Sequence, residues 1–144
     1  MSDQIQQQKD LVLNPNEFAY LLDRTKGIVN CYVGPTKTSL SNTDAPVVFD
    51  TRSKRFVECY LDNAIQTFIT APENWYCVLK NPAPNGKRPT PRSVNELPDL
   101  EIGKKVNIAG PVSFALYPGQ MARVIQGHRL RSNQYLLIRV YDED

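Results

Sequence analysis

Asn14-Pro-Asn-Glu-Phe-Ala-Tyr-Leu-Leu-Asp-Arg-Thr-Lys-Gly-Ile-Val-Asn-Cys-Tyr-Val-Gly-Pro35 is the stretch from which we first predict the fold class. Its apolar and aromatic residues form two short runs, at 18–22 and 28–33, and the second run ends at Gly34-Pro35. Short runs of this composition between Gly, Pro, Asn and Asp are typical of β-strands. The stretch therefore predicts two strands followed by a sharp turn.

The first run also has features of a helix start. Asn14 can cap a helix, Pro15 suits the first helical position, and Glu17 follows Asn14 by three residues. Residues 72–79 can be read in the same way. We favour strands for both segments because each is short, rich in aromatic residues and followed by a turn signal, and we keep the helix as the alternative.

Period-two alternation of apolar residues extends this interpretation along the chain. The clearest case is 135–141, where Leu136, Ile138 and Val140 alternate with other residues. Further strands are predicted at 47–49, 56–61, 65–69, 106–108, 112–117 and 122–125. The sequence thus predicts an all-β fold.

Composition restricts the possible functions. The 144 residues include 41% hydrophobic and 22% charged residues and carry a net charge of +2, which is typical of a globular protein. The charge is too small for a protein that binds nucleic acid mainly through phosphates. Without an apolar run long enough for a membrane span or a secretory signal, we expect a cytoplasmic protein, or a virion component if a virus encodes it.

No catalytic, cofactor-binding or metal-binding residue is predicted. Cys31, Cys59 and Cys77 lack the C-x-x-C spacing of zinc sites, and we interpret them as small core residues in a reducing compartment. His128 is the single histidine, and no second histidine accompanies it as a metal ligand. We therefore expect a protein that is not an enzyme.

Related segments recur along the chain. The aromatic residues Phe18, Trp75 and Tyr135 lie 57 and 60 residues apart, each at the start of a similar run. This spacing predicts two tandem small antiparallel β repeat modules plus the first strand of a third. The predicted organisation is a polar arm at 1–11, modules at 12–70 and 71–130, and a closing strand with an acidic tail at 131–144.

The second module contains a proline-rich basic insertion at 81–98. Five of the 11 prolines lie there, together with Lys87, Arg88 and Arg92. Because proline cannot donate to a sheet, we expect a loop that projects between two strands. It is a solvated arm, a contact arm for a neighbouring subunit, or a surface that binds nucleic acid or an acidic partner.

Several segments resemble the repeat of the major vault protein family. Residues 18–35 match its aromatic strand, Asp and Gly turn and Val-Gly-Pro end, and Trp75–Pro82, Phe114–Gln120 and Leu130–Asp144 are similar to further parts of it. The resemblance covers about residues 12–144. It implies antiparallel β modules that stack end to end and pack side by side in the wall of a hollow particle.

The family's many repeats, shoulder domain and coiled-coil cap do not fit in this chain, so we expect a short relative or a fragment. The expected function is a non-enzymatic structural subunit of a shell, ring or viral particle. Its partners would be copies of itself or other structural proteins, without a small-molecule substrate. The candidate interface residues are Lys87, Arg88, Arg92, Tyr135 and Tyr141. The alternative is an adaptor that docks a partner protein through 81–98.

Overall fold

A computed structural model describes residues 10–127, which form an all-β protein of antiparallel strands, as predicted. The predictions for the arm before residue 10, for His128 and for the closing strand with Tyr135 and Tyr141 lie outside the described residues. The strands are β1 Asp10–Leu13, β2 Glu17–Asp23, β3 Ile28–Val33, β4 Thr36–Ser39, β5 Asp44–Asp50, β6 Arg55–Glu58, β7 Ile65–Thr67, β8 Ile69–Ala71, β9 Trp75–Lys80, β10 Ser93–Asn95, β11 Lys105–Ala109, β12 Val112–Phe114 and β13 Met121–Gln126. A four-residue helix, α1, spans Leu61–Ala64, and a 3-10 turn spans Pro84–Gly86.

Both segments with helix-like starts are strands, β2 and β9. In β2 the residues Phe18 to Leu21 are all buried. Because successive side chains of a strand point to opposite faces, both faces of β2 are covered. This explains why its sequence is a continuous apolar run rather than a simple alternation.

The strands form four sheets. The largest has the order β10-β3-β2-β5-β6, and β7 also pairs with β2. A three-stranded sheet has the order β11-β9-β13, and β1-β4 and β8-β12 form two-stranded sheets.

The same turn geometry occurs before β2 and before β9. The Glu17 amide donates to the Asn14 carbonyl (3.1 Å), and the Trp75 amide donates to the Pro72 carbonyl (2.9 Å). The Gly34 amide then donates to the Glu17 carbonyl and the Gly110 amide to the Trp75 carbonyl. The peptide bond from each of these glycines to the following proline is cis.

These hydrogen bonds align Phe18 with Tyr76, not with Trp75 as the sequence spacing suggested. The strand registers agree, since Phe18 lies opposite Val33 and Tyr76 lies opposite Ala109. A shift of one residue moves every side chain to the other face of a strand. The corrected alignment therefore changes which residues correspond in the N-terminal part (10–67) and the C-terminal part (68–127).

The correspondence continues beyond the glycines. The Asp44 carboxylate accepts a hydrogen bond from the Ser41 amide (3.0 Å), and the Gln120 side-chain oxygen accepts one from the Tyr117 amide (2.8 Å). Val47 of β5 and Arg123 of β13 then lie opposite Tyr20 and Val78, respectively. Two stretches of quite different composition thus share one pattern of pairing.

The two parts differ in the position of their inserted residues. β13 pairs with β9 along all six of its residues, whereas β5 and β7 share the matching edge of β2. β6 and α1 lie between β5 and β7 in the sequence. The predicted strand at 56–61 is therefore wrong after Glu58, because residues 61–64 turn helically before the chain returns to β2.

The proline-rich insertion does not project as a free loop. Its residues 93–95 form β10, which pairs with β3 of the N-terminal part, and Pro82, Ala83 and Pro89 are buried. The insertion therefore extends the largest sheet by one edge strand.

Apolar residues form two clusters on opposite faces of β2. The larger contains Phe18, Tyr20 and Cys31 with Cys77 and Phe114, and so draws on both parts of the chain. The smaller contains Ala19 and Leu21 with residues of β1 and α1. Cys31 and Cys77 are buried and Cys59 is half-buried, and all three are free thiols.

Candidate interaction face

One face of the β11-β9-β13 sheet is turned away from the core. The registers place Tyr76 between Ala109 and Ile125, and Val78 between Asn107 and Arg123. Directly opposed residues of antiparallel strands share a face, so these side chains form one surface. Its members, called the open face below, are Tyr76, Val78, Lys80, Lys105, Asn107, Ala109, Met121, Arg123 and Ile125.

The open face combines partly covered apolar side chains with basic ones. Tyr76, Val78, Met121 and Ile125 are half-buried. The exposed Lys80, Lys105 and Arg123 add three positive charges, and none of the nine residues is acidic. A sheet face with an apolar centre and a charged margin is suited to contact another protein surface.

The other face of this sheet is part of the core. Cys77 lies between Ile108 and Val124, and Leu79 lies between Val106 and Ala122. All six belong to the larger apolar cluster or pack against it. The sheet is thus covered on one side by the rest of the molecule.

In the N-terminal part, the centre of the face that corresponds to the open face is covered. Its residues Phe18, Tyr20, Cys31, Val33 and Val47 are at most 3% exposed, whereas Leu22 and Val29 at one end are half-buried. They pack in one cluster with residues of the C-terminal part, which include Ala71, Phe114 and Leu116. Equivalent faces therefore have different surroundings in the two parts.

Polar groups join the two parts at this covered face. The Tyr20 hydroxyl lies 2.9 Å from the Leu116 carbonyl and 3.1 Å from the Tyr117 carbonyl and donates to this pair. The Cys31 thiol donates to the Leu116 carbonyl at 3.4 Å. Burial raises the pKa of Cys31 to about 12, and burial, followed by the charge on Cys31, raises the pKa of Tyr20 well above its usual value. Both groups are therefore protonated at neutral pH and act as donors.

Tyr117 makes no comparable hydrogen bond. Its side chain is completely buried, and its hydroxyl has no hydrogen-bond partner among residues 10–127. Burial raises its pKa, with a smaller contribution from Cys31. At this contact between the two parts, Tyr20 is thus held through its hydroxyl and Tyr117 by packing.

A buried amide network fixes the loops beside the open face. The Asn81 side chain donates to the Gly119 carbonyl (2.9 Å) and accepts from the Gly103 amide (2.7 Å). The Gln120 side chain donates to the Asn81 carbonyl (3.1 Å). Since buried amides are costly unless paired, this network holds the ends of β9 and β13 in place.

The basic residues predicted as interface candidates lie on the insertion and are not members of the open face. Lys87 is exposed, and its amide donates to the Pro84 carbonyl. The Arg88 guanidinium lies 4.6 Å from the centre of the Phe114 ring, a cation–π contact. The exposed Arg92 has a left-handed backbone and donates its amide to the Val33 carbonyl. The insertion is therefore anchored on both parts.

The open-face residues were not among the candidates from the sequence. Their signal was present as the alternation Tyr76, Val78 and Lys80 along β9. The alignment of Phe18 with Trp75 concealed this signal. It paired the buried Phe18 with a residue whose side chain lies on the opposite face of β9 from Tyr76.

No group of three or more His, Cys, Asp or Glu residues within 10–127 is placed to hold a metal ion. The two described helical segments are too short to cross a membrane. The sequence matches no family model and no curated protein.

Proposed function

We propose that this protein is a non-enzymatic structural subunit that self-associates or packs into a larger assembly. The observation that carries the proposal is the shared pairing pattern of the two parts, in which one part covers a sheet face of the other. Units that bury a face against the next unit are the elements of stacked repeat proteins.

The open face supports the same proposal. It occupies the position at which a further unit would pack, and it has the half-apolar, basic composition described above. A molecule that stacks units and offers such a position at its end can be extended by contacts that are not isologous, which generate rings or filaments. The resemblance to the vault repeat agrees with a place in a wall or shell.

Light scattering of the full chain tests the proposal. We expect a mass that is a multiple of 16.3 kDa and that rises with protein concentration, and we expect regular particles in electron micrographs. A strict monomer at high concentration, with no partner in its source material, would contradict the proposal.

A second candidate is an adaptor that binds a partner along the proline-rich insertion. The observation in its favour is that β10 is the edge strand of the largest sheet and that Val94 on it is 52% exposed. An exposed strand edge can pair with an extended peptide, and Lys87 and Arg92 beside it favour an acidic one.

Charge reversal separates the two functions better than deletion, because Pro82, Ala83 and Pro89 are buried and their removal would damage the core. If the protein is a structural subunit that uses these predicted interface residues, the double variant Lys87→Glu with Arg92→Glu should weaken assembly. Loss of a partner with intact assembly would favour the adaptor.

A further inference from the structure

We propose that the open face binds the α1 end of a second copy of this chain. The α1 end is defined as Tyr60, Asp62 and Asn63, the exposed residues at and just before the α1 helix. The inference rests on the proposed function, because it names the partner surface for self-association. It commits to a head-to-tail contact, in which each copy uses two different surfaces.

The first step is how the C-terminal part covers the N-terminal part. The C-terminal residues that are buried in the cluster with Phe18 include Ala71, Cys77, Leu79 and Phe114. Cys77 alternates along β9 with the open-face residues Tyr76 and Val78. Because alternate side chains of a strand point to opposite faces, the sheet covers the N-terminal part with one side and presents the open face on the other.

The second step is that the N-terminal part has a corresponding covering side. The corrected alignment places Ala19 at the position of Cys77. It likewise places Leu21 at the position of Leu79. The two-stranded sheets correspond as well, and their matching opposed pairs are Leu11 with Thr38 and Ile69 with Phe114. In a stack that repeats the internal contact, this side of the N-terminal part faces the open face of another copy.

The third step is that α1 lies on this covering side. Ala64 is completely buried in the cluster that contains Ala19, and Leu61 packs against that cluster. The α1 helix therefore covers apolar groups that would otherwise contact the next open face. The α1 end is the surface that remains for a second copy, and Tyr60 there is 70% exposed. Tyrosine is enriched in protein interfaces and in their hot spots.

The fourth step is the charge of the open face. Lys80, Lys105 and Arg123 are exposed, and none of the nine open-face residues is acidic. Two open faces in contact would bring like charges together, which disfavours an isologous dimer. The partner of the open face is therefore a surface of different charge.

The α1 end has the complementary composition. Asp62 is exposed and has no ion-pair partner within residues 10–127, and the segment 59–67 contains no basic residue. The two parts also differ in sign as wholes. Residues 10–67 contain seven acidic and six basic residues, a net charge of −1, whereas residues 68–127 contain four acidic and seven basic residues, a net charge of +3. A head-to-tail contact joins parts of opposite sign.

Light scattering of two variants tests this contact. The α1 variant carries Tyr60→Ala with Asp62→Ala, and the open-face variant carries Arg123→Glu. All three positions are exposed, and the Tyr60 side chain makes no capping hydrogen bond to α1, so both variants should fold as the wild type does. In each variant, the protein concentration at which the scattering mass rises should increase by about tenfold or more.

An equimolar mixture of the two variants gives the sharpest result. The α1 variant keeps a native open face, and the open-face variant keeps a native α1 end, so one contact between them is intact. The opposite contact, between the two altered surfaces, lacks both Tyr60 and Arg123. We expect a complex of two chains, with about twice the 16.3 kDa mass of the monomer, that does not grow further.

Matched variants outside both surfaces provide the controls. Glu96→Ala with Leu97→Ala removes an acidic and an exposed apolar side chain from the insertion, and Arg52→Glu reverses a charge on the exposed turn between β5 and β6. Both controls should assemble as the wild type does.

The outcomes separate this inference from the proposed function. Wild-type assembly that the α1 variant preserves would overturn the head-to-tail contact and leave self-association in place. A mixture that remains monomeric, or an α1 variant that dimerises alone through its open face, would also overturn the contact. A wild type that remains monomeric at high concentration would contradict the proposed function itself, and this contact with it.

Discussion

The face of β2, β3 and β5 and the face of β9, β11 and β13 have the same pairing but different surroundings. The first presents Phe18, Tyr20 and Val47 to the core, and the second presents Tyr76, Val78 and Arg123 at the surface. The backbone pattern is the same, so the difference in composition follows from what packs on each face. Backbone pairing and burial are therefore separate properties of this fold.

The largest expected difference between the two faces is in the cost of removing an aromatic ring. Phe18→Ala should lower the free energy of unfolding by about 3–5 kcal/mol, as for other buried phenylalanines. Tyr76→Ala should cost about 1–2 kcal/mol, because its site is only partly covered and loses less packing. Urea unfolding of both variants measures the difference, and equal losses would mean that the two faces are equally buried.

Substitution of the glycine before each cis proline should have the same effect in both parts. A Cβ at Gly34 would collide with the Asn14 carbonyl oxygen, and one at Gly110 with the Pro72 carbonyl oxygen. Each substitution to alanine should lower the free energy of unfolding by about 3 kcal/mol or more, because the backbone atoms that the Cβ meets cannot move away easily. Unfolding midpoints of the two variants test this.

Gly27→Ala is the reference for those variants. No atom lies within 4 Å of its added Cβ, and φ is +74°, so only the left-handed backbone contributes, at about 1–2 kcal/mol. A loss at Gly34 or Gly110 no larger than this would contradict the close approach.

Tyr20 and Tyr117, at the contact between the two parts, should respond differently to loss of the hydroxyl. Tyr20→Phe leaves the Tyr117 carbonyl without its donor and the Leu116 carbonyl with only the Cys31 thiol, and it should cost about 1–3 kcal/mol. Tyr117→Phe removes no hydrogen bond within residues 10–127 and should be nearly neutral. Comparable losses in thermal unfolding would show that the Tyr20 hydroxyl does not hold the two parts together.

The smallest expected effect concerns thiol reactivity. Thiolates are the reactive form of cysteine, and burial raises the pKa of Cys31 from 9.0 to about 12. Iodoacetamide at pH 8 should therefore modify the half-buried Cys59 first and Cys31 last, as read by mass spectrometry.

The same shift has a defined sign for stability. Because the folded state holds the Cys31 proton more tightly than the unfolded state, its contribution is complete below about pH 9 and is lost as the pH rises toward 12. In the iodoacetamide experiment, modification of Cys31 before Cys59 would show that the covered face opens readily.

The all-β class and most strand positions could be predicted because short apolar runs and Gly-Pro turns are local signals. The pattern at 28–33 gave β3 with its observed bounds. The short helix α1 could not be predicted, because Leu61 continues an apparent period-two pattern from Val57 and Cys59. The helical conformation of residues 61–64 depends on a tertiary contact, the return of the chain to β2.

The candidate face was less predictable than the fold. Tyr76 and Phe18 are both aromatic residues in similar strands, and only the hydrogen bonds of the preceding turns establish that they correspond. The pairing of β10 with β3 was also hidden, because a segment with so many prolines has no strand-like pattern of its own. Contacts between distant parts of the chain determine both features.

The different insertion points in the two parts have a practical consequence for engineering. The turn between β5 and β6, residues 51–54, is exposed, and the Lys54 amide closes it on the Asp50 carbonyl at 2.7 Å. It lies within extra sequence that the C-terminal part does not contain, so the shared strand pairing does not depend on its length. A foreign epitope grafted at this turn would be held by the paired strands β5 and β6. In the proposed assembly, each particle would display many copies of it.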